Sequence, residues 1–173
     1  MNELISFPNL TTKRLQLRQL LPTDAPEIFI LRSDELVNRY LGRSKANSIE
    51  DARQFITKIL NSGRDQSTYW GISFKEEQRL IGTICLWNIS KERSSAEIGY
   101  ELLPDYHGKG LIQEAIEIVI QYGFQNMNLQ LLEAVLHPAN IKSVKLLEKN
   151  KFIIDTDPEH QVEDMVVYIR KKN

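Results

Sequence analysis

The residues best suited to chemistry lie in the segment Ala96–Ala115, where a carboxylate precedes a glycine-rich turn. Glu97 falls on a predicted strand, and Gly108-Lys109-Gly110 leads directly into a predicted helix. Glycines allow turns that expose backbone N–H groups, and a helix N-terminus attracts anions. The segment therefore predicts a phosphate-binding turn beside a carboxylate able to accept a proton.

The turn does not match the common phosphate motifs. A P-loop needs four residues between its glycines, followed by Lys and then Ser or Thr, whereas only Lys109 separates these two glycines. A dinucleotide fingerprint needs a third glycine where Gln113 stands. If only the two glycines are considered, the alternative to a phosphate-binding turn is a helix that simply begins after a flexible turn.

Composition bounds the class of protein. The 173 residues suit a single domain, 1–173, and a net charge of -1 gives no reason to expect a nucleic-acid or anionic-membrane partner. The single cysteine, Cys85, cannot form an internal disulfide and lies in an apolar run, so we expect a core residue in a reducing cytoplasm. The N-terminus lacks a signal-peptide pattern, and no apolar run approaches the roughly 20 residues of a membrane span.

Hydrophobic periodicity predicts a mixed α/β protein, layered in the α+β manner, with helices covering a largely antiparallel sheet. The predicted strands are Arg14–Leu20, Thr68–Phe74, Leu80–Ile89, Ala96–Leu103, Leu129–Leu136, Phe152–Ile154 and Met165–Arg170. Two helices begin at the caps Thr23 and Ser48, and two more span Gly110–Met127 and, from the cap Asn140, Asn140–Asn150. The three central strands predict an antiparallel meander.

The order and spacing of these motifs resemble the GNAT superfamily of acyl-CoA-dependent N-acetyltransferases over nearly the whole chain. Within it, the sequence is most similar to the branch of ribosomal-protein serine/alanine N-terminal acetyltransferases. The segments that carry the resemblance are Leu10–Arg18, Asp24-Ala25, Ser33–Glu35, Tyr40–Gly42, Ile81–Ile84, Ala96–Tyr100, Tyr106–Gly110, Glu114-Ala115, Asn140–Ser143, Leu147–Lys149 and Phe152. Lys151 departs from the pattern, because the family usually has a glycine there.

The resemblance places the acetyl-CoA loop, usually Gln/Arg-x-x-Gly-x-Gly/Ala, on residues 107–112. Gly110 matches, whereas His107 replaces the usual Gln or Arg and Ile112 replaces the small residue. The implied coenzyme-binding residues are Leu102, Leu103, His107, Gly108, Lys109, Gly110, Leu111, Ile112, Asn140 and Ser143. Leu102 and Leu103 would offer backbone groups to the pantetheine arm, with plain core packing as the alternative. Lys109 would either attract a phosphate or stay solvated.

Strand alternation places Glu97, Gly99 and Glu101 on one face of their strand, and Gly99 leaves room beside Glu97. The resemblance implies that Glu97 lies near the position of a general base in some superfamily members. A structural carboxylate bonded to a neighbouring strand or loop is the alternative. We expect Glu101, nearer the loop, to be structural or to face the acceptor.

Departure of the CoA thiolate is the second chemical problem. Many GNAT enzymes supply an acidic tyrosine where this sequence has Leu147. The resemblance implies that Ser143 serves the leaving group instead, although it could simply bond its own helix backbone. Asn140 has two competing roles, as the helix cap and as a hydrogen-bonding partner of pantetheine.

The sequence therefore predicts transfer of an acetyl group from acetyl-CoA to a primary amine, on a small molecule or a protein N-terminus. A non-catalytic acyl-CoA-binding module is the alternative, because Ile112 and Leu147 depart from the family pattern. The three histidines lack metal-ligand spacing, so we expect no metal cofactor. The acidic loop Asp155–Glu163 either attracts a cationic amine or is simply solvated, and homodimerisation is left open.

Overall fold

The computed structural model describes residues 7–63 and 65–173. Segment 1–6, part of the stretch predicted to lack a signal peptide, lies outside the described residues. The strands are β1 Leu10–Thr11, β2 Leu15–Gln19, β3 Ser67–Phe74, β4 Gly82–Ser90, β5 Ser95–Leu102, β6 Leu131–Leu136, β7 Ile153–Ile154 and β8 Val166–Lys171. The α-helices are α1 Ala25–Ser33, α2 Glu35–Asn38, α3 Ile49–Asn61, α4 Leu111–Gln125 and α5 Ile141–Lys149.

In the described part of the chain these strands form one 8-stranded sheet in the order β1-β2-β3-β4-β5-β6-β8-β7. The predicted meander is confirmed, since β3, β4 and β5 pair antiparallel through the row Tyr69, Cys85 and Gly99. Only β5 and β6, among the pairs described, run parallel. The predicted fold class, a mixed and largely antiparallel sheet flanked by helices, is therefore confirmed.

The parallel pair β5–β6 separates along its length. Its register pairs are Ser95–Leu131, Ala96–Leu132 and Glu97–Glu133, although β5 continues to Leu102 and β6 to Leu136. Beyond Glu97 the two strands share no further pair among the described residues, so their carboxyl ends diverge. Beyond Glu97, the backbone N–H and C=O groups on this edge of β5 therefore have no ladder partner on β6 within the described chain.

Helices cover both faces of the sheet. On one face α4 packs against Trp70, Ile84 and Ile98 in the larger core. On the other face α1 and α3 bury Ile28, Leu31 and Ile56 in a smaller core that includes Tyr69 as a partly buried neighbour. Odd-numbered residues of β5 therefore face α1 and α3, whereas even-numbered residues face α4, as the two-residue period of a strand requires.

Two of the three predicted helix caps are confirmed. Ser48 forms a capping box with Asp51 at the start of α3, and Asn140 caps α5 by accepting a hydrogen bond from the Ser143 N–H. The prediction for Thr23 is wrong. Pro22–Asp24 forms a 3₁₀ turn, and Asp24 takes the N-cap position of α1. Its buried carboxylate instead accepts hydrogen bonds from Arg18 and from the Leu21 N–H, which fixes the entry into α1.

Among the strands and α-helices of the described chain, two short elements were not predicted. The strand β1 has 2 residues and the helix α2 has 4, too few to produce a hydrophobic period. Lys151, in place of the usual glycine, has a positive φ of 62°. The family's glycine preference at this position is explained by that left-handed backbone, which a lysine adopts only with strain.

Candidate active site

The glycine-rich turn forms an open N-terminus for α4. Gly108 and Gly110 have φ values of 73° and 71°, and a Cβ on Gly108 would meet no atom within 4 Å. Gly110 is the N-cap of α4 and makes no side-chain cap hydrogen bond. The first N–H groups of a 15-residue helix are therefore free of a capping side chain, which is the arrangement that binds phosphate oxygens.

An ion pair fastens this turn to the amino-terminal part of the sheet. The Arg14 Nε atom donates to Glu114 at 2.8 Å, and the Arg14 Nη1 atom donates to the Lys109 carbonyl at 3.2 Å. Glu114 also accepts hydrogen bonds from the Arg14 backbone N–H and the Thr12 hydroxyl. Burial raises the pKa of Glu114, but these hydrogen bonds outweigh it and bring that pKa to about 2. Glu114 therefore stays ionised and holds the turn in place.

Other residues of the predicted coenzyme loop are also tied to the fold. The His107 Nε2 atom lies 2.8 Å from the Leu102 carbonyl oxygen, so this histidine links the loop to the end of β5. The Leu103 N–H donates to the Ile81 carbonyl, and both leucine side chains are buried. The Lys109 ammonium lies 5.5 Å from the centre of the Tyr106 ring. Ile112 packs partly buried against the larger core.

Asn140 and Ser143 lie together at the start of α5. The Asn140 side-chain oxygen accepts from the Ser143 N–H at 3.3 Å, while its amide nitrogen donates no hydrogen bond within the described chain. The cap thus uses one end of the amide and leaves the other for a ligand, so the two predicted roles of Asn140 are compatible.

Ser143 also reaches across to β5. Its side chain hydrogen-bonds the phenol of Tyr100, and burial raises the pKa of that phenol to about 12 despite this bond. Leu147, at the place of the family's tyrosine, is buried in the core with 1% exposure. The tyrosine hydroxyl next to Ser143 therefore belongs to Tyr100 of β5. Position 147 of α5, where the family usually has a tyrosine, holds a leucine.

Glu97 lies on the opposite side of β5, where the β5–β6 pairing ends. It is half-buried, and its Oε1 atom accepts a hydrogen bond from the Asn88 side chain at 2.7 Å. No ion pair joins it to a basic residue in the part of the chain that the structure describes. Glu133, beside it on β6, is instead neutralised by Arg93 at 2.7 Å. Glu97 therefore keeps a carboxylate oxygen available to an incoming amine.

A break in β4 shapes the surface next to Glu97. The β4–β5 register shifts between Trp87 and Ser90, and Asn88 has a left-handed φ of 49°. Trp87 pairs across the strands with Glu97 and is 47% exposed. Its Nε1 atom lies 3.8 Å from where a Cβ on Gly99 would be, so the indole borders the space above that glycine. Such bulges redirect side chains beside functional sites.

Glu101, on the same face, has a contrasting environment. Its side chain is 7% exposed and accepts a 2.6 Å hydrogen bond from the Arg43 Nη2 atom and another from Thr83 at 3.3 Å. Arg43 also donates to Asn38 and to the Leu31 carbonyl. This network attaches the segment after α2 to the sheet. Burial and the nearby Glu101 charge raise the pKa of Cys85 to about 12, so the predicted core position of this thiol is confirmed.

The structure brings some predicted residues together and separates others. Residues 107–112 lie beyond the carboxyl end of β5, Ser143 contacts its Tyr100 and is capped by Asn140, and Glu97 lies on the other face. A thioester held between β5 and β6 would therefore have Glu97 on one side and Ser143 on the other. The acidic loop is bonded within itself, because Asp155 contacts His160 and Asp157 accepts from the Glu159 N–H.

Sequence reasoning missed several residues of this region. The missed residues are Arg14, which pairs with Glu114; Arg43, which binds Glu101; Asn88, which donates to Glu97; the neighbouring Trp87; and Tyr100, which bonds Ser143. Most of these partners are far apart in the chain, and no local pattern marks them. Only Asn88 carries a local signal, because asparagine tolerates the left-handed backbone found at this bulge.

Comparison with known proteins identifies the family. Residues 14–153 match the family model of the acetyltransferase (GNAT) domain. The uncharacterized N-acetyltransferase YoaA of Bacillus subtilis is 37% identical over 147 residues, covering 84% of this chain and 83% of that protein. The chain therefore belongs to the GNAT family, and its enzyme class is that of an N-acetyltransferase.

Solved structures share the fold. The ribosomal-protein-S5-alanine acetyltransferase from Vibrio fischeri superposes with a TM-score of 0.79 at 20% identity, covering 95% of this chain and 96% of that one. The spermidine N-acetyltransferase from Vibrio cholerae, solved with CoA and spermine, superposes with a TM-score of 0.79 at 22% identity, covering 91% of this chain and 95% of that one.

Among the described residues, no helix is long and apolar enough to cross a membrane. The same residues bring no three candidate metal ligands together.

Proposed function

We propose that this protein transfers the acetyl group of acetyl-CoA directly to a primary amine, on a small molecule or a protein N-terminus. The observation that carries the proposal is the separation of β5 from β6 beyond Glu97, with the free N-terminus of α4 beyond the end of β5. An extended chain bearing amides can pair with the open edge of β5 as an added strand would. The pantetheine arm of acetyl-CoA has that chemistry, and its pyrophosphate suits the glycine-rich turn.

Glu97 is our candidate for the general base. At neutral pH an alkyl amine is mostly an ammonium ion, because its pKa is about 10. It must therefore lose a proton before its nitrogen can attack the thioester. A carboxylate without a basic partner in the described chain can take that proton directly or through a water molecule. The amine nitrogen then bonds to the thioester carbon, the C–S bond breaks with sulfur taking the bonding electron pair, and the nitrogen gives up its second proton to solvent to form the neutral amide.

Ser143 is our candidate for assisting the departing sulfur. Its hydroxyl lies on the face of β5 opposite Glu97 and is held by Tyr100. A hydroxyl that donates a hydrogen bond to sulfur lowers the energy of the developing thiolate, and solvent can then supply the proton of the free thiol. This arrangement compensates for the leucine at position 147, which is buried in the core.

The acceptor class comes from the chemistry of the site and from related proteins. Two proteins of the same fold are named a spermidine N-acetyltransferase and a ribosomal-protein-S5-alanine acetyltransferase. Glu97 and the half-exposed Trp87 border the side of the sheet from which an amine would approach. Both a carboxylate and an indole face attract an ammonium group.

Release of free thiol from acetyl-CoA in the presence of an amine panel tests the proposal. The panel should contain polyamines, amino acids, amino sugars and short peptides with free N-termini, and calorimetry should measure acetyl-CoA binding separately. We expect binding and turnover with at least one amine. Binding without turnover on any amine would favour the acyl-CoA-binding module, whereas the absence of both would contradict a coenzyme site at this turn.

A further inference from the structure

The side chain of Arg32 lies on the face of the sheet covered by α1 and α3, against Phe55. It lies in the last turn of α1 and is half-buried. Its guanidinium carbon lies 4.1 Å from the centre of the Phe55 ring, which in turn meets Tyr69 edge-on at 5.6 Å. Within residues 7–63 and 65–173, however, this guanidinium donates no hydrogen bond and joins no carboxylate in an ion pair.

The charges around Arg32 do not balance. Burial lowers the pKa of Arg32 and the neighbouring Arg43 lowers it further, while Glu101 and Tyr69 act in the opposite direction. Glu101 is already bound to Arg43 at 2.6 Å and to Thr83. Around Glu101, two guanidinium groups therefore share one carboxylate, which leaves Arg32 without an ion-pair partner in the described chain.

A half-buried guanidinium that lacks hydrogen-bond acceptors in the described chain is suited to bind an anionic ligand. It offers N–H donors in a planar fork, and losing water without gaining acceptors costs free energy. The Phe55 ring and the negative end of the α1 dipole hold the cation, but neither accepts its in-plane hydrogen bonds. The acceptors that match such a fork are the paired oxygens of a carboxylate or a phosphate.

We infer that Arg32 binds an oxyanion carried by the acceptor, so that the natural substrate is a primary amine bearing a carboxylate or a phosphate group. The inference rests on the proposed function and narrows its substrate class. Glu97 and Glu101 lie four residues apart on one face of β5, a distance of about 13 Å along a strand. The amine would lie at the Glu97 end and the anionic group beyond the Glu101 end, near Arg32.

Matched pairs of acceptors test the inference. We would compare 10-aminodecanoate with its amide, and 10-aminodecyl phosphate with 10-aminodecanol, by thiol release at saturating acetyl-CoA, because these extended chains match the separation between the two ends of the site. The wild-type protein should prefer the anionic member of at least one pair by about 10- to 100-fold in kcat/KM, the range of a charge-assisted bidentate contact. The pair that shows the preference distinguishes a carboxylate from a phosphate substrate. Equal rates within both pairs would overturn the inference.

Variants of Arg32 test whether this residue causes the preference for anionic acceptors. Arg32→Gln should remove the preference for the anionic acceptor. The kcat/KM for the neutral acceptor and the KM for acetyl-CoA should both stay within about twofold of wild type. Arg32→Lys keeps the charge and should retain part of the preference. Arg53→Gln removes an exposed arginine of α3 and is the matched control, with wild-type behaviour expected. Equal losses for charged and neutral acceptors in Arg32→Gln would indicate a structural role and contradict the inference.

A binding experiment separates this inference from the proposed function. With CoA saturating the coenzyme turn, calorimetry would measure binding of inorganic phosphate to wild type and to Arg32→Gln. Binding that the substitution weakens at least about 10-fold supports an oxyanion site even if no amine is turned over. Equal phosphate binding by the two proteins would overturn the oxyanion site, as would a lack of phosphate binding by wild type together with equal rates within both acceptor pairs. Failure of the proposed function alone would appear as an absence of turnover with phosphate binding intact.

Discussion

Glu97 and Glu101 belong to one strand and one face, but the protein treats the two carboxylates differently. Glu97 has the Asn88 amide as its hydrogen-bond partner, while Glu101 is nearly fully buried and bound to Arg43 and Thr83. We propose that the first exchanges a proton with the substrate, whereas the second fastens the segment after α2 to the sheet. The surroundings of a carboxylate, rather than its place in the alternation, decide its role.

The same contrast extends along the whole site. Near the glycine-rich turn, Arg14 and Glu114 hold the backbone with several hydrogen bonds. Near Glu97, a bulge in β4 and a half-exposed Trp87 leave the surface less constrained. The turn that would receive the coenzyme is thus fixed in advance, and the acceptor side is left open to a ligand. Substitutions at the two ends should therefore have different consequences.

Glu97→Gln should give the largest effect, and it should be catalytic. The substitution removes the proton acceptor but keeps the shape and the bond from Asn88, so we expect kcat to fall about 100- to 1,000-fold at neutral pH. The free energy of unfolding should change by less than about 0.5 kcal/mol, because the side chain has no ion pair in the described chain. Thiol release and urea denaturation measure the two quantities.

Glu101→Gln should show the reverse pattern. Removing one partner of a buried ion pair leaves Arg43 uncompensated, so we expect a loss of about 2 to 3 kcal/mol in the free energy of unfolding. The maximal rate of the folded protein should fall far less than in Glu97→Gln. If the rate collapsed while stability held, the roles of the two carboxylates would be exchanged.

Glu114→Gln tests the fixed end of the site. The folded pKa of Glu114 is about 2, below the ordinary value of 4.5, so its contribution to stability is present above pH 4.5 and is lost as pH falls toward 2. The substitution should cost about 1 to 2 kcal/mol at pH 7 and flatten the acid limb of the stability curve. The KM for acetyl-CoA should rise severalfold. An unchanged acid limb would show that Glu114 carries no such contribution.

Asn88→Gly should give the smallest effect. Glycine tolerates the left-handed backbone of this position, so the change mainly removes the hydrogen bond to Glu97. We expect kcat to fall about 3- to 10-fold, the cost of a less well oriented base, with the KM for acetyl-CoA unchanged. Steady-state kinetics with both substrates varied would distinguish this from a general loss of structure, which would raise both KM values.

The sequence predicted the fold well because strand alternation and helix caps are local signals. The meander, α4 and the caps Ser48 and Asn140 were all found from patterns within about ten residues. Thr23 was misassigned because a neighbouring acid, Asp24, occupies the cap position and bonds Arg18 instead. A pattern of residue types cannot show which of two adjacent polar residues the fold recruits.

The environment of the site was less accessible to sequence reasoning. Arg14 and Glu114 meet across a separation of 100 positions, and Arg43 and Glu101 across 58. Their pairing depends on how sheet and helices stack, which no local pattern records. Alternation placed Glu97 and Glu101 on one face but could not show that an arginine neutralises only one of them. The unpaired guanidinium of Arg32 was invisible for the same reason.

The most direct test of the contrast between these carboxylates is the pH dependence of kcat/KM for wild type and Glu97→Gln with one amine acceptor. A general base is needed while the acceptor is protonated and becomes dispensable as pH approaches the pKa of the amine, near about 10. We expect a large deficit of the variant at neutral pH that narrows steadily toward that value. Equal rates for the two proteins at every pH would contradict a role for Glu97 in proton transfer.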